Sequence, residues 1–215
     1  MNIFAKEKVA REYDAYYVSE QGKQIDELEK QTICQLLKPV KPGHLLEIGC
    51  GTGHWTDFFS EMGFQITATD VSDAMMSLAK EKQLSNVTFM EADIRQLPFP
   101  DHHLEQIAVV TALEFCGNIK QAFAEMKRIL KPGGWLIAGC LNADSTLGKI
   151  KDGDPVFKHG EFMTNAELKN HLLTIGEPNI LECVHLSPDF KILDKTEQQH
   201  TVAGVFMAAA VQKIN

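Results

Sequence analysis

Short apolar runs alternate with longer amphipathic stretches along most of this 215-residue chain, and that alternation limits the fold more than any other feature. Five of the runs are predicted strands: residues 44–48, 65–69, 87–90, 104–111 and 135–138. The stretches between them carry apolar residues at helical spacing, as in residues 53–62 and 119–130. Because parallel strands need crossovers of this length, the pattern predicts a doubly wound α/β sheet, mostly parallel, with helices on both faces.

Two further apolar runs complete the predicted sheet. Residues 180–185 and 202–211 are separated by a polar stretch, which predicts an antiparallel pair at the sheet edge. The fold expected is therefore a Rossmann-like sheet of seven strands with an antiparallel edge strand. Ser72 is expected to cap the helix that follows the second strand, and Thr164 with Glu167 forms a capping box for a helix ending near residue 175.

The chain is expected to form a single domain over residues 1–215, because no composition shift marks a linker. Helical patterns at residues 9–17 and 25–37 predict an N-terminal helical cap within residues 1–40. Residues 142–163 are polar, contain three glycines and a proline, and are too long for an ordinary connection. We expect that insertion to lie on the substrate side of the site.

Composition argues against several classes of protein. The chain carries 21 basic and 29 acidic residues, a net charge of −8 without a local basic patch, so nucleic acid is not an expected partner. No apolar run approaches the roughly 18 residues of a membrane span, and the first residues do not resemble a secretory signal. Five cysteines without a C-x-x-C pair favour reduced cytoplasmic thiols over a disulfide framework or a zinc site.

A glycine loop is the most informative local pattern. In Leu45-Leu46-Glu47-Ile48-Gly49-Cys50-Gly51-Thr52-Gly53, a strand enters a G-x-G-x-G turn that opens a helix. Glycine allows positive φ and lets a ligand approach bare backbone. Asp70 follows at the end of the next strand, where an acid can accept hydrogen bonds from a ribose. Together the two features predict a ligand that contains a nucleoside.

The spacing within the loop disfavours ligands that carry phosphates. The dinucleotide fingerprint G-x-G-x-x-G requires a third glycine where this chain has His54. The loop also lacks the G-K-[ST] of a phosphate-binding loop. A nucleoside without phosphates therefore fits the loop better than a dinucleotide.

Four segments in register resemble the class I S-adenosylmethionine-dependent methyltransferases, closest to the type-11 group that includes ubiquinone/menaquinone-biosynthesis enzymes. Residues 46–53 resemble motif I, and Thr69-Asp70-Val71-Ser72-Asp73-Ala74-Met75 resembles the D-x-S-x-x-M segment. Residues 92–94 and 97–101 resemble the adenine-contacting segment, and Leu130-Lys131-Pro132-Gly133-Gly134 resembles the turn before the fifth strand. The resemblance implies S-adenosylmethionine as cofactor and methyl transfer to a small-molecule acceptor.

The resemblance also implies which residues contact the cofactor. The loop residues would hold its methionine part: Gly49, Cys50, Gly51, Thr52 and Gly53. The nucleoside would be held by Asp70 on the ribose, Val71 and Met75 on the adenine, Asp93 on the adenine amino group and Ile94 on the other ring face. Thr111 and Ala112 would line the position of methyl transfer. Tyr13 or Tyr17 would close over the cofactor from the N-terminal helix.

Catalysis is expected to need little from side chains. An in-line displacement is helped mainly by positioning and by exclusion of water. A base is needed only if the acceptor must lose a proton, and the candidates are His159 in the insertion and Glu114 after the fourth strand. The family often has an aromatic residue or histidine after that strand. Here Ala112-Leu113-Glu114-Phe115 follows, so the acceptor side is undefined.

Other functional classes stay open at this point. The segment after the fourth strand is not the [DNS]-P-P-[YF] of enzymes that methylate amino groups of bases, which argues against DNA methylation. A nicotinamide-dependent oxidoreductase is disfavoured by His54 and the glycine spacing. A non-catalytic module that binds S-adenosylmethionine or S-adenosylhomocysteine would share the same loop. The eight histidines show no metal-binding spacing, so no metal site is predicted.

Overall fold

Seven strands build the sheet of this protein: β1 (His44–Ile48), β2 (Gln65–Asp70), β3 (Val87–Glu91), β4 (Leu104–Val110), β5 (Leu130–Leu141), β6 (Pro178–Cys183) and β7 (Phe206–Gln212). The structure is a computed structural model that describes residues 4, 14–194 and 202–214. The strand order is β3-β2-β1-β4-β5-β7-β6. Strands β1 to β5 pair in parallel, whereas β7 runs antiparallel to both of its neighbours, β5 and the edge strand β6. The predicted Rossmann-like sheet, mostly parallel with antiparallel pairing at one edge, is confirmed.

Helices cover both faces of the sheet. They are α1 (Glu20–Leu37), α2 (His54–Glu61), α3 (Asp73–Glu81), α4 (Ile119–Ile129), α5 (Thr146–Ile150) and α6 (Asn165–Leu173). Residues of α1 and α2, such as Ile33 and Phe59, pack in one apolar cluster. Residues of α4 and α6, such as Met126 and Leu168, pack in a second cluster. The near-continuous apolar sequence of β4 follows from burial by both clusters.

The helix caps agree with the sequence-based prediction. The Ser72 side chain accepts from the Met75 backbone N–H at the start of α3. Thr164 and Glu167 form the reciprocal capping box at the start of α6. These caps satisfy backbone donors that the first turn of a helix leaves unpaired.

The strands β5, β6 and β7 each have at least one end that differs from the prediction by two residues or more. β5 begins at Leu130, five residues before the predicted start at Trp135. Leu130 pairs with Leu104 of β4 and Trp135 pairs with Gln106, so residues 131–134 form an irregularity in the pairing of the two strands. β6 ends at Cys183 because Val184 takes a positive φ of 60°. β7 begins at Phe206, four residues after the predicted start.

The N-terminal region is described in part. Residues 14–18 are helical and precede α1, which begins at Glu20. Tyr13 and the rest of the predicted helix before residue 14 lie outside the described residues. Within the described residues, no helix has the length and apolar content needed to cross a membrane.

Candidate active site

The glycine loop joins β1 to α2 with three left-handed residues: φ is 73° at Gly49, 53° at Gly51 and 80° at Gly53. The Gly49 and Cys50 backbone N–H groups both donate to the Thr69 carbonyl of β2, which fixes the loop on the sheet. A Cβ on Gly49 would overlap the Cβ of Ala112, and one on Gly53 would lie 2.9 Å from the Cβ of Ala79. These two glycines are therefore needed for packing as well as for backbone conformation.

Gly51 has a different role from its neighbours. The nearest atom to a Cβ added there would be the Met75 Cε, 3.5 Å away, which is an ordinary van der Waals contact, so close packing is not the reason for a glycine at this position. Its backbone N–H points at Asp70 and donates to Oδ2 at 2.8 Å. The loop thus presents bare backbone beside a carboxylate, which is the arrangement the sequence predicts for a nucleoside ligand.

Asp70 ends β2 and holds the loop in place. Its two oxygens accept from the Gly51 and Ser72 backbone N–H groups at 2.8 and 2.9 Å. Burial raises the pKa of this carboxyl, and the backbone hydrogen bonds oppose the rise. A carboxylate has about four acceptor positions, and the Val71 backbone N–H also hydrogen-bonds to this one, so the protein leaves about one position for a ribose hydroxyl. Val71, 49% exposed, and the buried Met75 lie next to Asp70 where adenine is expected to pack.

Asp93 was expected to be a free acceptor for the adenine amino group, but in the structure it is paired with Arg95. Both of its oxygens bind the Arg95 guanidinium, at 2.6–3.1 Å, and Oδ1 also accepts from the Arg95 backbone N–H. Hydrogen bonding to Arg95 lowers the pKa of Asp93. An adenine amino group would therefore share Asp93 with Arg95. The adjacent Ile94 is buried in the apolar cluster of α4.

The N-terminal helical segment lies against the glycine loop. The Thr52 hydroxyl, which is fully buried, donates to the Asp14 carboxylate at 2.5 Å. Tyr17 stacks on His54, with ring centroids 3.7 Å apart, and His54 in turn bonds Asp26 of α1 at 2.6 Å. Tyr17 therefore packs on the first residue of α2, directly after the glycine loop.

The end of β4 carries backbone strain. Thr111 has a φ of 49°, a left-handed conformation that costs a β-branched residue on the order of 1–3 kcal/mol. Its N–H donates to the Gly139 carbonyl of β5 at 2.8 Å, and the next residue, Ala112, packs on Gly49. Such strain is concentrated at functional sites. Both predicted transfer-position residues therefore lie at the junction of β4 with the glycine loop.

Glu114 follows in a short 3-10 turn, Leu113–Phe115, and is 1% exposed. Its Oε1 accepts from the Leu141 backbone N–H at 2.5 Å, whereas Oε2 is buried and has no hydrogen-bond partner among the described residues. Burial raises the pKa of this carboxyl to about 7. The Glu114 carbonyl also accepts from the Glu161 N–H at 2.7 Å, which anchors the polar insertion beside the end of β4.

His159, the other candidate base, is placed less favourably. It ends the 3-10 turn Phe157–His159 and is exposed. In the described part of the chain its ring has no hydrogen-bond partner, unlike the anchored carboxyl of Glu114. The structure thus brings Glu114 to the site and leaves His159 on the surface of the insertion.

Two buried glutamates at this end of the sheet were not predicted as site residues from the sequence. Glu47 of β1 is 2% exposed and Glu29 of α1 is 7% exposed. Burial raises their pKa values to about 7 and about 8. The available signal was an acid in an apolar pattern: Glu47 interrupts an apolar strand, and Glu29 stands four residues from both Ile25 and Ile33 on the apolar stripe of a helix.

The site is acidic, which fits a cationic cofactor. Glu47, Asp70 and Glu114 lie at the carboxyl ends of β1, β2 and β4. Among the described residues the buried cationic side chain is Lys213, which binds the Leu130 carbonyl at the start of β5. Buried carboxyls favour a positively charged ligand and disfavour phosphates. The acidic site therefore fits S-adenosylmethionine, whose sulfonium is positive, better than a dinucleotide.

The three buried glutamates predict that stability falls as the pH rises. The folded protein keeps protons that the unfolded chain loses above about 4.5, so the free energy of unfolding should decrease by a few kcal/mol between pH 5 and pH 8. Burial lowers the pKa of His171, so this residue makes the free energy of unfolding rise with pH below about 6.5. It is one group against three glutamates, so the net change should still be a decrease. Urea unfolding at the two pH values measures the difference, and Glu29→Gln should reduce it. Equal stability at both values would contradict the prediction.

The fold and the site define a class of enzyme, and comparison with known proteins gives the family. Residues 46–138 match the family model described as a methyltransferase domain. An uncharacterized protein of Methanocaldococcus jannaschii is 31% identical over the full length of both chains. The chain belongs to the class I S-adenosylmethionine-dependent methyltransferases, in the type-11 group, and its cofactor is S-adenosylmethionine.

Relatives with named activities match only in part. A malonyl-[acyl-carrier protein] O-methyltransferase of Erwinia pyrifoliae is 32% identical over 59% of this chain and 47% of its own length. A ubiquinone/menaquinone biosynthesis C-methyltransferase of Shewanella pealeana is 37% identical over 45% and 42%. The chain thus spans about half the length of these relatives.

Solved structures share the whole fold. A methyltransferase from Thermotoga maritima has a TM-score of 0.72 at 22% identity, covering 97% of this chain and 98% of that one. DhpI, solved in complex with S-adenosylhomocysteine, has a TM-score of 0.66 at 20% identity, with coverage of 97% and 93%. At these identities the likeness establishes the fold alone.

Proposed function

We propose that the protein transfers a methyl group from S-adenosylmethionine to a small-molecule acceptor bound at the carboxyl end of β4, beside residues 142–163. The observation that carries this proposal is the contact between the insertion and the end of β4. Glu161 of the insertion donates to the carbonyl of Glu114, three residues after the strained Thr111. An acceptor held there would face the glycine loop through Ala112, which packs on Gly49.

The chain's own residues bind and orient the reactants. The backbone of the glycine loop, with Cys50 and Thr52 between the glycines, would hold the methionine part, and Asp70 the ribose. Val71, Met75 and Ile94 would enclose the adenine, with Asp93 at its amino group. When bound, the cofactor supplies a methyl group already activated by its sulfonium. Tyr17 and the insertion would exclude water, which in-line displacement requires.

Glu114 is the better placed of the two candidate bases. It has one oxygen fixed by Leu141 and the other without a protein partner in the described chain, so it can accept a proton or hydrogen bond from the acceptor. With a pKa raised to about 7, it is poised between its two protonation states near neutral pH. His159 would take this role only if the insertion moved.

A small molecule is the proposed class of acceptor, in keeping with the net charge of −8, which disfavours nucleic acid. The named relatives are a malonyl-[acyl-carrier protein] O-methyltransferase and a ubiquinone/menaquinone biosynthesis C-methyltransferase, so relatives of this chain methylate different atoms of unrelated acceptors. All five cysteines are free, which supports a proposed cytoplasmic location.

The test uses S-adenosylmethionine labelled with carbon-13 on the methyl group. The protein is incubated with three fractions of a cell extract: small molecules, protein and nucleic acid. A mass increase of one labelled methyl group on a small molecule is expected. Label in the protein or nucleic-acid fraction alone, or in no fraction, would overturn the proposal.

Glu114→Gln should lower kcat by about 100-fold or more with that acceptor, because the amide cannot take up a proton. The wild-type rate should rise with pH toward a plateau at or above about 7 as the carboxyl ionises, and the variant should lose this rise. Asp152→Asn, a change of the same kind at an exposed residue of the insertion, is the control. A larger loss from His159→Ala than from Glu114→Gln would transfer the role to His159.

A further inference from the structure

Two buried side chains near the end of β4 each keep a hydrogen-bonding atom without a partner. Glu114 and Asn142, the residue that directly follows β5, are each 1% exposed. The Asn142 Nδ2 atom and the Glu114 Oε2 atom have no hydrogen-bond partner among the described residues. Because folded proteins leave few buried polar atoms unsatisfied, a ligand or water is expected to meet these atoms. The proposed function uses Glu114 but gives Asn142 no role.

The orientation of the Asn142 amide is fixed by its neighbours. Its Oδ1 atom accepts from the Asp144 backbone N–H at 3.0 Å, and its own backbone N–H donates to the Val205 carbonyl at 2.9 Å. The first of these bonds identifies the oxygen, so the unpartnered end of the amide is the NH2 group, which has two donors. Asn142 therefore offers donors to a bound group, whereas an ionised Glu114 offers an acceptor.

Hydrogen bonds on two sides hold these residues at one place in the fold. Glu114 Oε1 accepts at 2.5 Å from the N–H of Leu141, the residue immediately before Asn142. On the side of the insertion, the Glu161 N–H donates to the Glu114 carbonyl at 2.7 Å, and Met163 pairs with Asn142 in a β-bridge. Cα atoms two residues apart are separated by at most about 7 Å. The insertion therefore contacts both residues within a short length of chain.

A cavity of about 350 Å³ lies against the same part of the insertion. Glu161, Phe162 and Met163 line it, together with Gly117 and Asn118 at the start of α4. Its volume is at the lower end of the range for small-molecule pockets. The cavity gives room for the part of an acceptor that does not react.

We infer that Asn142 and Glu114 together hold a hydroxyl group of the acceptor, so that the protein methylates the oxygen of an alcohol or phenol. This inference rests on the proposed function and specifies its substrate class. A hydroxyl group has one donor and two acceptor positions, so it can donate to Glu114 and accept from Asn142 at the same time. An ammonium group has donors only, and a thiol is weak in both roles, so neither matches this pair.

The two residues have different tasks in the reaction. The hydroxyl oxygen forms a bond to the methyl carbon, and the bond from that carbon to sulfur breaks with its electron pair left on sulfur. The hydroxyl proton passes to Glu114 Oε2. The N–H group of Asn142 occupies one lone pair of the oxygen, which leaves the other for the methyl carbon, and it stabilises the negative charge that develops as the proton leaves.

The first test identifies the atom that receives the methyl group. The product formed from the small-molecule fraction and labelled S-adenosylmethionine is analysed by carbon-13 NMR, because the chemical shift distinguishes a methyl group on oxygen from one on nitrogen, sulfur or carbon. A methyl ether of an alcohol or phenol is expected. A labelled methyl group on another atom, or on a carboxylate oxygen, would overturn the inference and leave the proposed function standing. The absence of any labelled small molecule would overturn both.

The second test measures the role of Asn142 with that acceptor. Asn142→Asp keeps the oxygen that accepts from Asp144 and removes both donors. It should lower kcat about tenfold or more, while the affinity for S-adenosylhomocysteine stays within about twofold. Asn170→Asp, the same substitution at an exposed position of α6, should leave both unchanged.

A double variant distinguishes a shared hydroxyl group from two separate effects. If both side chains hold one hydroxyl group, adding Asn142→Asp to Glu114→Gln should lower kcat by no more than about twofold further. Losses that multiply in the double variant, or an unchanged kcat in Asn142→Asp, would contradict the inference. Loss of S-adenosylhomocysteine binding in Asn142→Asp would also contradict it, by assigning Asn142 to the cofactor. The identity of the methylated atom is measured on the wild type and does not depend on how a variant folds.

Discussion

Gly49→Ala is expected to lower the free energy of unfolding by about 2–5 kcal/mol, the largest effect of any single methyl group added to the site. Two costs add at this position. The left-handed φ of 73° strains any residue with a Cβ, and that Cβ would overlap the Cβ of Ala112 at the end of β4. Urea unfolding of the two proteins without cofactor measures the loss.

Gly133→Ala is the matched control for this prediction. Gly133 has nearly the same φ, 77°, but an added Cβ would meet no atom within 4 Å. Gly133→Ala should therefore lower the free energy of unfolding only through the strained backbone conformation, by about 1–2 kcal/mol. Equal losses in the two variants would show that contact between the loop and β4 contributes nothing to stability.

Asp70→Ala should weaken binding of S-adenosylhomocysteine by about 1–3 kcal/mol, or roughly 5- to 150-fold. The substitution removes the charged acceptor proposed for the ribose, and it also leaves the Gly51 and Ser72 backbone N–H groups without their partner. Isothermal titration calorimetry measures the change in affinity.

Asp73→Ala separates the ribose contact from a general effect of charge. Asp73 is an exposed acid in the first turn of α3, three residues after Asp70. Affinity for S-adenosylhomocysteine should stay within about twofold in this variant. If Asp70→Ala remains folded and binds as tightly as the wild type, Asp70 does not hold the ribose.

Local patterns were enough to predict the sheet and the glycine loop. The predicted bounds of β1 match the structure at both ends. The short apolar run ends at glycines, which favour a turn. The Ser72 cap and the Thr164 capping box are likewise properties of four consecutive residues. Features of this kind need no knowledge of distant parts of the chain.

Contacts between distant segments could not be predicted in the same way. The Thr52–Asp14 hydrogen bond joins residues 38 positions apart, and the hydrogen bond from the Glu161 N–H to the Glu114 carbonyl joins the insertion to the end of β4. The Asp93–Arg95 pair was local, but no pattern distinguishes a carboxylate held by a neighbour from one kept for a ligand. Residues 131–134 were predicted as a turn, although they continue β5 past an interrupted register.

The position of β7 bears on how the chain folds during synthesis. β7 follows β6 in sequence but lies between β5 and β6, so β6 has no partner in the sheet until residues 206–212 emerge from the ribosome. Until then the edge of β5 offers unpaired backbone groups beside an apolar surface, a template for association with other nascent chains. Closure of the sheet is therefore a late event that depends on distant pairing, and chaperones that shield strand edges would act in this interval.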